Sequence, residues 1–276
     1  MRFFTRRLEV LAHRFGNPIQ GMVHVYVIHL KHRTDRHRQF TEAWNAAGLS
    51  RTNVHWFPAV LGSALTSETL ANFRTAARTR EARAGRVGCY CSHVAAIRKA
   101  IARDHFPLLV LEDDAIPVPG EPTPDLSRAF AAAPSDATLL YFGALPVRAR
   151  RRVDLYCTRW ERGWGKPASD VQLYGGHAYG IPTAAAAAEI ADYLDLHKIT
   201  FDSALVRYRK EHPERVSVHC PFLFVQSEGY SDIEGAQRPQ RGGPAFLRAQ
   251  GSNLLALLSP LSASDSDVSE SSWCGS

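Results

Sequence analysis

Three adjacent carboxylates, Glu112, Asp113 and Asp114, close an apolar run in the segment FPLLVLEDDAIPV, residues 106–118. Burying an unpaired carboxylate is costly, so a strand ending this way needs water, cationic partners or a metal ion at its tip. In extended backbone Glu112 and Asp114 share one face and Asp113 points to the other. That alternation is expected to break where the triplet leaves the strand. Hard carboxylate oxygens suit Mg2+ or Mn2+, and such an ion keeps positions open for phosphate oxygens. It would neutralise charge on a departing phosphate, which fits the opening of a nucleotide-sugar or phosphoryl transfer. The competing structural reading has one acid capping the next turn and the others paired with arginines.

The elements that must position these acids follow from the apolar pattern. VHVYVIHL (23–30) is apolar on both faces, as expected of a strand covered by helices on both sides. Phe40, Ala43, Trp44 and Ala47 then recur at helical spacing, and Gly48 stops the helix. VHWFPAV (54–60) reads as a second strand, with Pro58 marking an edge. Residues 62–86 are basic and weakly patterned and are expected to form a loop with a helical turn or two. SHVAAIRKAIARD (92–104) reads as a helix capped by Ser92, and the acid-ended strand comes directly after it. TLLYFG (138–143) and HAYGIP (177–182) read as further strands, the second short, and 183–197 as a helix capped by Thr183. CPFLFVQ (220–226) is the last apolar stretch. Strands alternating with helices define an α/β class with a mostly parallel central sheet flanked by helices. Ligands of such sheets bind beyond the carboxyl ends of the strands, where the acidic triplet lies.

The chain has 276 residues, 45% hydrophobic and 22% charged, with a formal charge of +6. That length suits one large α/β domain with a sizeable core. Residues 251–276 hold no Lys or Arg and three acids, Asp265, Asp267 and Glu270, so residues 1–250 carry 33 − 24 = +9. The excess is mostly arginine, in RTAARTREARAGR (74–86) and RARRR (148–152). Such a surface suits phosphate-bearing ligands, acidic glycans or nucleic acid, or is simply a solvated face. Aromatic residues are not interleaved with these runs as a nucleic-acid stacking platform requires, so no nucleic-acid partner is expected. Five scattered cysteines do not form a disulfide framework and favour a reducing, cytoplasmic compartment. No apolar run reaches the length of a membrane span, and no secretory signal is evident. Residues 1–21 read as a basic extension able to touch a membrane surface, 22–235 as the domain, and 236–276 as a Gly/Pro/Ser-rich disordered tail. Other phosphate folds lack support: there is no G-x-x-x-x-G-K-[ST], and no G-x-G-x-x-G follows the first strand.

VIHLKHRTDRHRQF (27–40), GRVGCYCSHVAAIRKAI (85–101), LLVLEDDAIPV (108–118) and HAYGIPTAAAAAEI (177–190) occur in that order. Together they resemble glycosyltransferase family 25, which includes lipopolysaccharide-biosynthesis and collagen-type galactosyltransferases. The likeness runs from residue 23 to about 235, although AYGIP has proline where the family usually has serine. It implies a single GT-A-like domain, a UDP-sugar donor carrying galactose or glucose, Mn2+ (or Mg2+), and a glycan, lipid-linked glycan or protein acceptor. By that resemblance Asp114, with Glu112 or Asp113, holds the metal against the diphosphate. A catalytically inactive sugar- or nucleotide-binding relative is the alternative, with an arginine-rich nucleic-acid-binding protein behind it.

The resemblance also places the nucleotide beside Arg33, Asp35 and Arg36. Arginine there can clamp phosphate and aspartate can accept from ribose or base; the other reading is a local Asp–Arg turn. Gly88 and CYCSH (89–93) are expected to open a helix whose N–H groups face an anion, with Ser92 as its cap. His93 is either a donor or metal contact or a buried structural histidine, and Cys89 reads as core. Asp202 matches a family acid and is the candidate for general base or acceptor contact; as a helix N-cap it would be structural. Gln226, Ser231 and Asp232 resemble the end of the family domain and would close the donor site. His177 and His219 are further metal candidates, and Trp160, Trp164 and Tyr174 could stack on a sugar or pack in the core.

Overall fold

The computed structural model describes residues 22–49, 52–119, 124–148, 163–167, 169, 171–233 and 236–238. The expected N-terminal extension, Trp160, the arginine run beyond residue 148 and the tail beyond 238 lie outside them. A seven-stranded sheet has the order β2-β1-β3-β7-β5-β8-β6. Its strands are β1 (His24–His29), β2 (Asn53–Pro58), β3 (Leu108–Glu112), β5 (Leu139–Arg148), β6 (Gly163–Gly165), β7 (Val171–Ile181) and β8 (Val216–Cys220). Three pairings are parallel, β1 with β2, β1 with β3 and β5 with β8, and β7 and β6 run against their neighbours. The α/β class with a central sheet flanked by helices is therefore observed, and β2, β1, β3, β5 and β8 share one direction. Pro58 ends the edge strand, where its missing N–H breaks no ladder.

Period-two alternation divides the core. Val25, Val27, Leu109, Leu111, Leu140 and Phe142 face one side, packing with Phe40 and Trp44 of α1 (Thr34–Ala46) and Phe130 of α4 (Leu126–Ala131). Tyr26, Ile28, Leu108, Val110, Leu139 and Tyr141 face the other. There they meet α3 (Arg80–Arg103), α5 (Ala184–Leu196) and α6 (Phe201–Glu211). Strands β1 and β3 are thus buried on both faces, which is why their sequences read as unbroken apolar runs.

Residues 62–86 differ from expectation. A 3-10 turn (Gly62–Ala64) and α2 (Ser67–Ala71) are followed by α3, which begins at Arg80, twelve residues before the expected start. Thr79 is the true cap, its side chain accepting from Ala82 N at 3.1 Å. The start of α3, up to Gly88, packs through Ala84, Val87 and Gly88, and two of those three residues carry too little side chain to register as an apolar stripe. β7 is also longer than expected, because Val171–Tyr174 pairs with the far end of β5. Beyond the main sheet, β4 (Ala115–Pro117) pairs with β9 (Phe224–Gln226), and β10 (Gly229–Ser231) with β11 (Ala236–Arg238). Pairing therefore continues past residue 235, the expected domain limit. Cys220 is disulfide-bonded, whereas Cys89 and Cys91 are not. No described helix is long and apolar enough to cross a membrane.

Candidate functional site

Beyond the carboxyl ends of β1 and β3 lies a cavity of about 350 Å³. Strand geometry stops at Glu112, and Asp113 and Asp114 form the turn that leads into β4. The three acids consequently go separate ways while all lining the cavity. Glu112 Oε1 accepts from His93 Nε2 at 3.3 Å. Asp113 is buried and bidentate: Oδ1 accepts from Arg36 Nη1 at 2.6 Å and Oδ2 from His29 Nδ1 at 3.2 Å. Asp114, also buried, lies 3.4 Å from the same Arg36 nitrogen. Burial opposes the charge on Arg36, but Asp114 and Asp113 outweigh it and hold its pKa above the ordinary arginine value.

Arg36 reaches the acids because it sits in the first turn of α1, directly after β1 and its short turn. Its Nη2 donates to Tyr230 O at 2.7 Å, and Arg33 Nη1 donates to the same carbonyl at 3.3 Å. Arg33 also forms a two-point pair with Asp35, at 3.0 and 2.8 Å, and an ion pair with Asp232. The bond from Arg33 holds the Asp35 carboxyl far below the usual range. Arg33 and Asp35 do not line the cavity; they brace the β10 segment, whose Ser231 and Asp232 do. The local Asp–Arg turn envisaged from sequence is therefore present, and Arg36 is the arginine that faces the acids.

The opposite wall is α3. Ser92 does not cap this helix, and Gly88 does not open it: both lie in its middle. Ser92 Oγ donates to Gly88 O at 2.7 Å and accepts from Val60 N at 2.8 Å, tying the helix to the loop after β2. That loop approaches so closely that a Cβ on Gly88 would lie 2.7 Å from Val60 O. Gly88 is thus a packing glycine, with no helix-end N–H to offer an anion. One turn on, His93 is fully buried, stacked on Phe201 with ring centroids 3.9 Å apart. Burial lowers its pKa to about 3, so the ring is neutral: Tyr179 donates to Nδ1 at 3.1 Å and Nε2–H points at Glu112. Cys89, read from sequence as core, lies beside this pair and lines the cavity.

Asp202 and Gln226 stand behind the cavity wall. Asp202 follows the actual N-cap, Thr200, and its Oδ1 accepts from Gly176 N at 2.7 Å. Its charge acts on His93 from behind. Gln226 is buried in β9 opposite Ala115. His177, His219, Trp164 and Tyr174 do not reach the cavity. His219 Nδ1 donates to Pro221 O, Trp164 to Ala129 O, and Tyr174 to Gln172, each at 2.7 Å. Sequence reasoning missed His29 and the Tyr230 carbonyl. A polar residue ending the otherwise apolar YVIH stretch was a usable signal for His29; a backbone carbonyl leaves none.

The donor set tests what this site can hold. Asp113 and Asp114 offer hard oxygen atoms on one turn, which suits Mg2+ or Mn2+, but both already face Arg36, so a cation would share them with a guanidinium. Glu112 instead groups with Cys89 and His93, with one ligand atom of each within 4.8 Å of the others. Carboxylate oxygens fit the hard ion, and Asp113 and Asp114 are the residues that would hold it.

The paired acids and the half-buried Arg36 thus line a cavity beyond the parallel strand ends, the place where sheets of this kind take ligands. Residues 22–117 match the family described as glycosyltransferase family 25 (LPS biosynthesis protein). The match holds three of the four motifs and most of the cavity lining. A protein of Aedes aegypti described as a glycosyltransferase 25 family member is 28% identical over 173 residues, 58% of this chain. The chain spans only 25% of that relative's length. Among solved structures, a glycosyltransferase involved in glycosylation of the major capsid of PBCV-1 aligns with 78% of this chain and 96% of its own. Its identity is 10% and its TM-score 0.37, too slight a likeness to bear on the site.

Proposed function

We propose that this protein transfers a hexose, galactose or glucose, from a UDP-sugar to a hydroxyl of a glycan, lipid-linked glycan or protein acceptor. The observation that carries the reading is the Glu112–Asp113–Asp114 triplet, which lines the cavity together with the Arg36 it pairs with, inside the segment that matches the family. Asp113 and Asp114 would hold Mn2+ or Mg2+, which supplies charge neutralisation for a departing diphosphate. Arg36 binds the same polyanion through its guanidinium, and Ser231 and Asp232 border the donor from the late segment. Asp202 is the proposed general base or acceptor contact; its carboxylate, oriented by Gly176 N behind the cavity wall, would meet an acceptor entering from that side.

Calorimetric titration of UDP, with GDP and CMP for comparison and with and without Mn2+, tests the donor half. UDP should bind only with the metal, and Asp114→Ala should abolish that binding. Folded protein that binds no nucleotide under either condition sinks the proposal. For the base, Asp202→Asn should leave UDP binding intact and slow transfer by about 10²–10⁴-fold. A second reading, a binding relative without catalysis, is favoured by one observation: Arg36 already bridges Asp113 and Asp114. Metal-dependent UDP binding with neither transfer nor hydrolysis of UDP-galactose or UDP-glucose would select it.

A further inference from the structure

Three imidazoles meet at the end of the sheet opposite the acidic turn. His24 opens β1, His55 lies in β2, and His105 belongs to the connection between α3 and β3. The parallel register sets His24 opposite Asn53 and Tyr26 opposite His55, so β1 and β2 offer their polar side chains to the same face. All three histidines are half-buried. His24 stacks on His105 with ring centroids 4.1 Å apart and planes 6° from parallel, and His55 stacks on His105 at 4.9 Å. One ring nitrogen from each lies within 4.8 Å of the other two. His24 Nδ1 is 3.4 Å from His55 Nε2. Zinc–nitrogen bonds of about 2.0–2.1 Å give a tetrahedral edge of about 3.4 Å.

We propose that His24, His55 and His105 form a three-histidine site for a borderline divalent cation, zinc foremost, distinct from the carboxylate site. Imidazole donors suit zinc, nickel or copper and are a poor match for Mg2+ or Mn2+, so the two ends of the sheet differ in the ion they take. An outer partner is in place: Tyr26 Oη lies 2.9 Å from His105 Nδ1, which fixes that ring and leaves Nε2 to ligate. Asn53 Nδ2, 3.2 Å from His24 Nδ1, is the group the ion displaces, and a half-turn of that amide presents its oxygen instead. Ligation requires the stacked His24 and His105 rings to rotate apart so that their in-plane lone pairs converge, and the more distant nitrogens to draw in by about an ångström, a side-chain rearrangement open to half-buried positions. The cluster adjoins a cleft of about 910 Å³ lined by Tyr26, His55 and His105, with Arg98, Lys99 and Arg103 on its wall. A fourth position opening there takes water or a small anion. This cleft and the acidic cavity share no lining residue.

The test is titration of the untagged full-length chain with Co2+, then Zn2+, followed by visible absorption. Co2+ should produce the ligand-field bands of a nitrogen/oxygen site without sulfur-to-cobalt charge transfer, and Zn2+ should displace it. His55→Gln and His105→Gln should each weaken binding by roughly 100-fold or more, and Cys89→Ala should leave it unchanged. A sulfur charge-transfer band, binding indifferent to both histidine changes, or no binding by folded chain overturns the site. Should either variant fail to fold by circular dichroism, X-ray absorption at the zinc edge of the unaltered protein decides. Three imidazoles support the site; fewer than three, or any sulfur, refutes it.

Discussion

Asp113 and Asp114 share one guanidinium in a buried turn, and the energetics of the site turn on that sharing. Removing one partner of a buried ion pair leaves the other charge uncompensated, so Arg36→Met should lower the unfolding free energy by about 3 kcal/mol. Denaturant melts will read this; a loss below about 1 kcal/mol would mean the acids are solvated like surface pairs. The same change should tighten Mn2+ binding, because guanidinium and cation compete for the same oxygens, while weakening UDP. The acidic triplet was legible in sequence because a charged group at the end of a buried strand is anomalous on its face. Which acid takes which partner was not legible. Those partners, His29, Arg36 and His93, come from β1, α1 and α3, and only the sheet register brings them together.

Among the elements, α3 shows most plainly how sequence and structure diverge. Its start packs largely through Ala84 and Gly88, and Gly88 in particular sits where loop backbone allows no side chain. In an exposed helix Gly→Ala gains about 1 kcal/mol. At position 88 the sign should reverse, with Gly88→Ala costing about 1–3 kcal/mol through overpacking against Val60 and Gly62. Ser92→Ala should cost about 1–3 kcal/mol as well, since it strips Val60 N of its acceptor. Thermal or urea unfolding of both variants checks the pair; a stabilised Gly88→Ala would show that the loop can yield. Strands β1 and β3 and helix α1 were readable because large apolar side chains mark their buried faces. The start of α3 was not, because glycine and alanine bury backbone rather than hydrophobic surface.

For the molecule as a whole, buried histidines tie stability to acidity. Burial lowers His177 and His93 to about 3, and His219 is shifted the same way by the same cause. An unfolded chain protonates these rings near pH 6.5 and the folded one does not, so the unfolded state binds more protons below that value. Stability should be fully present above about pH 6.5 and fall as pH drops towards 3. Two such rings give a slope approaching about 2.7 kcal/mol per pH unit in that window. Urea midpoints between pH 7.5 and 5 will show it, and His177→Asn should flatten the decline if it folds; a midpoint that rises on acidification would contradict the assignment. The α/β class was evident from the alternation of patterns, whereas the reversed β7 in mid-sheet was not, since nothing local in a strand's sequence records its direction.

Arg33 and Arg36, at the first helix, both grip the carbonyl of Tyr230, nearly two hundred residues later. A ribosome makes the arginines early and the carbonyl late. Strands β1, β2 and β3 can pair and bury their faces long before then, but the wall formed by Ser231 and Asp232 does not exist until that last stretch has emerged. During synthesis, this wall of the cavity is therefore completed later than the strands it faces.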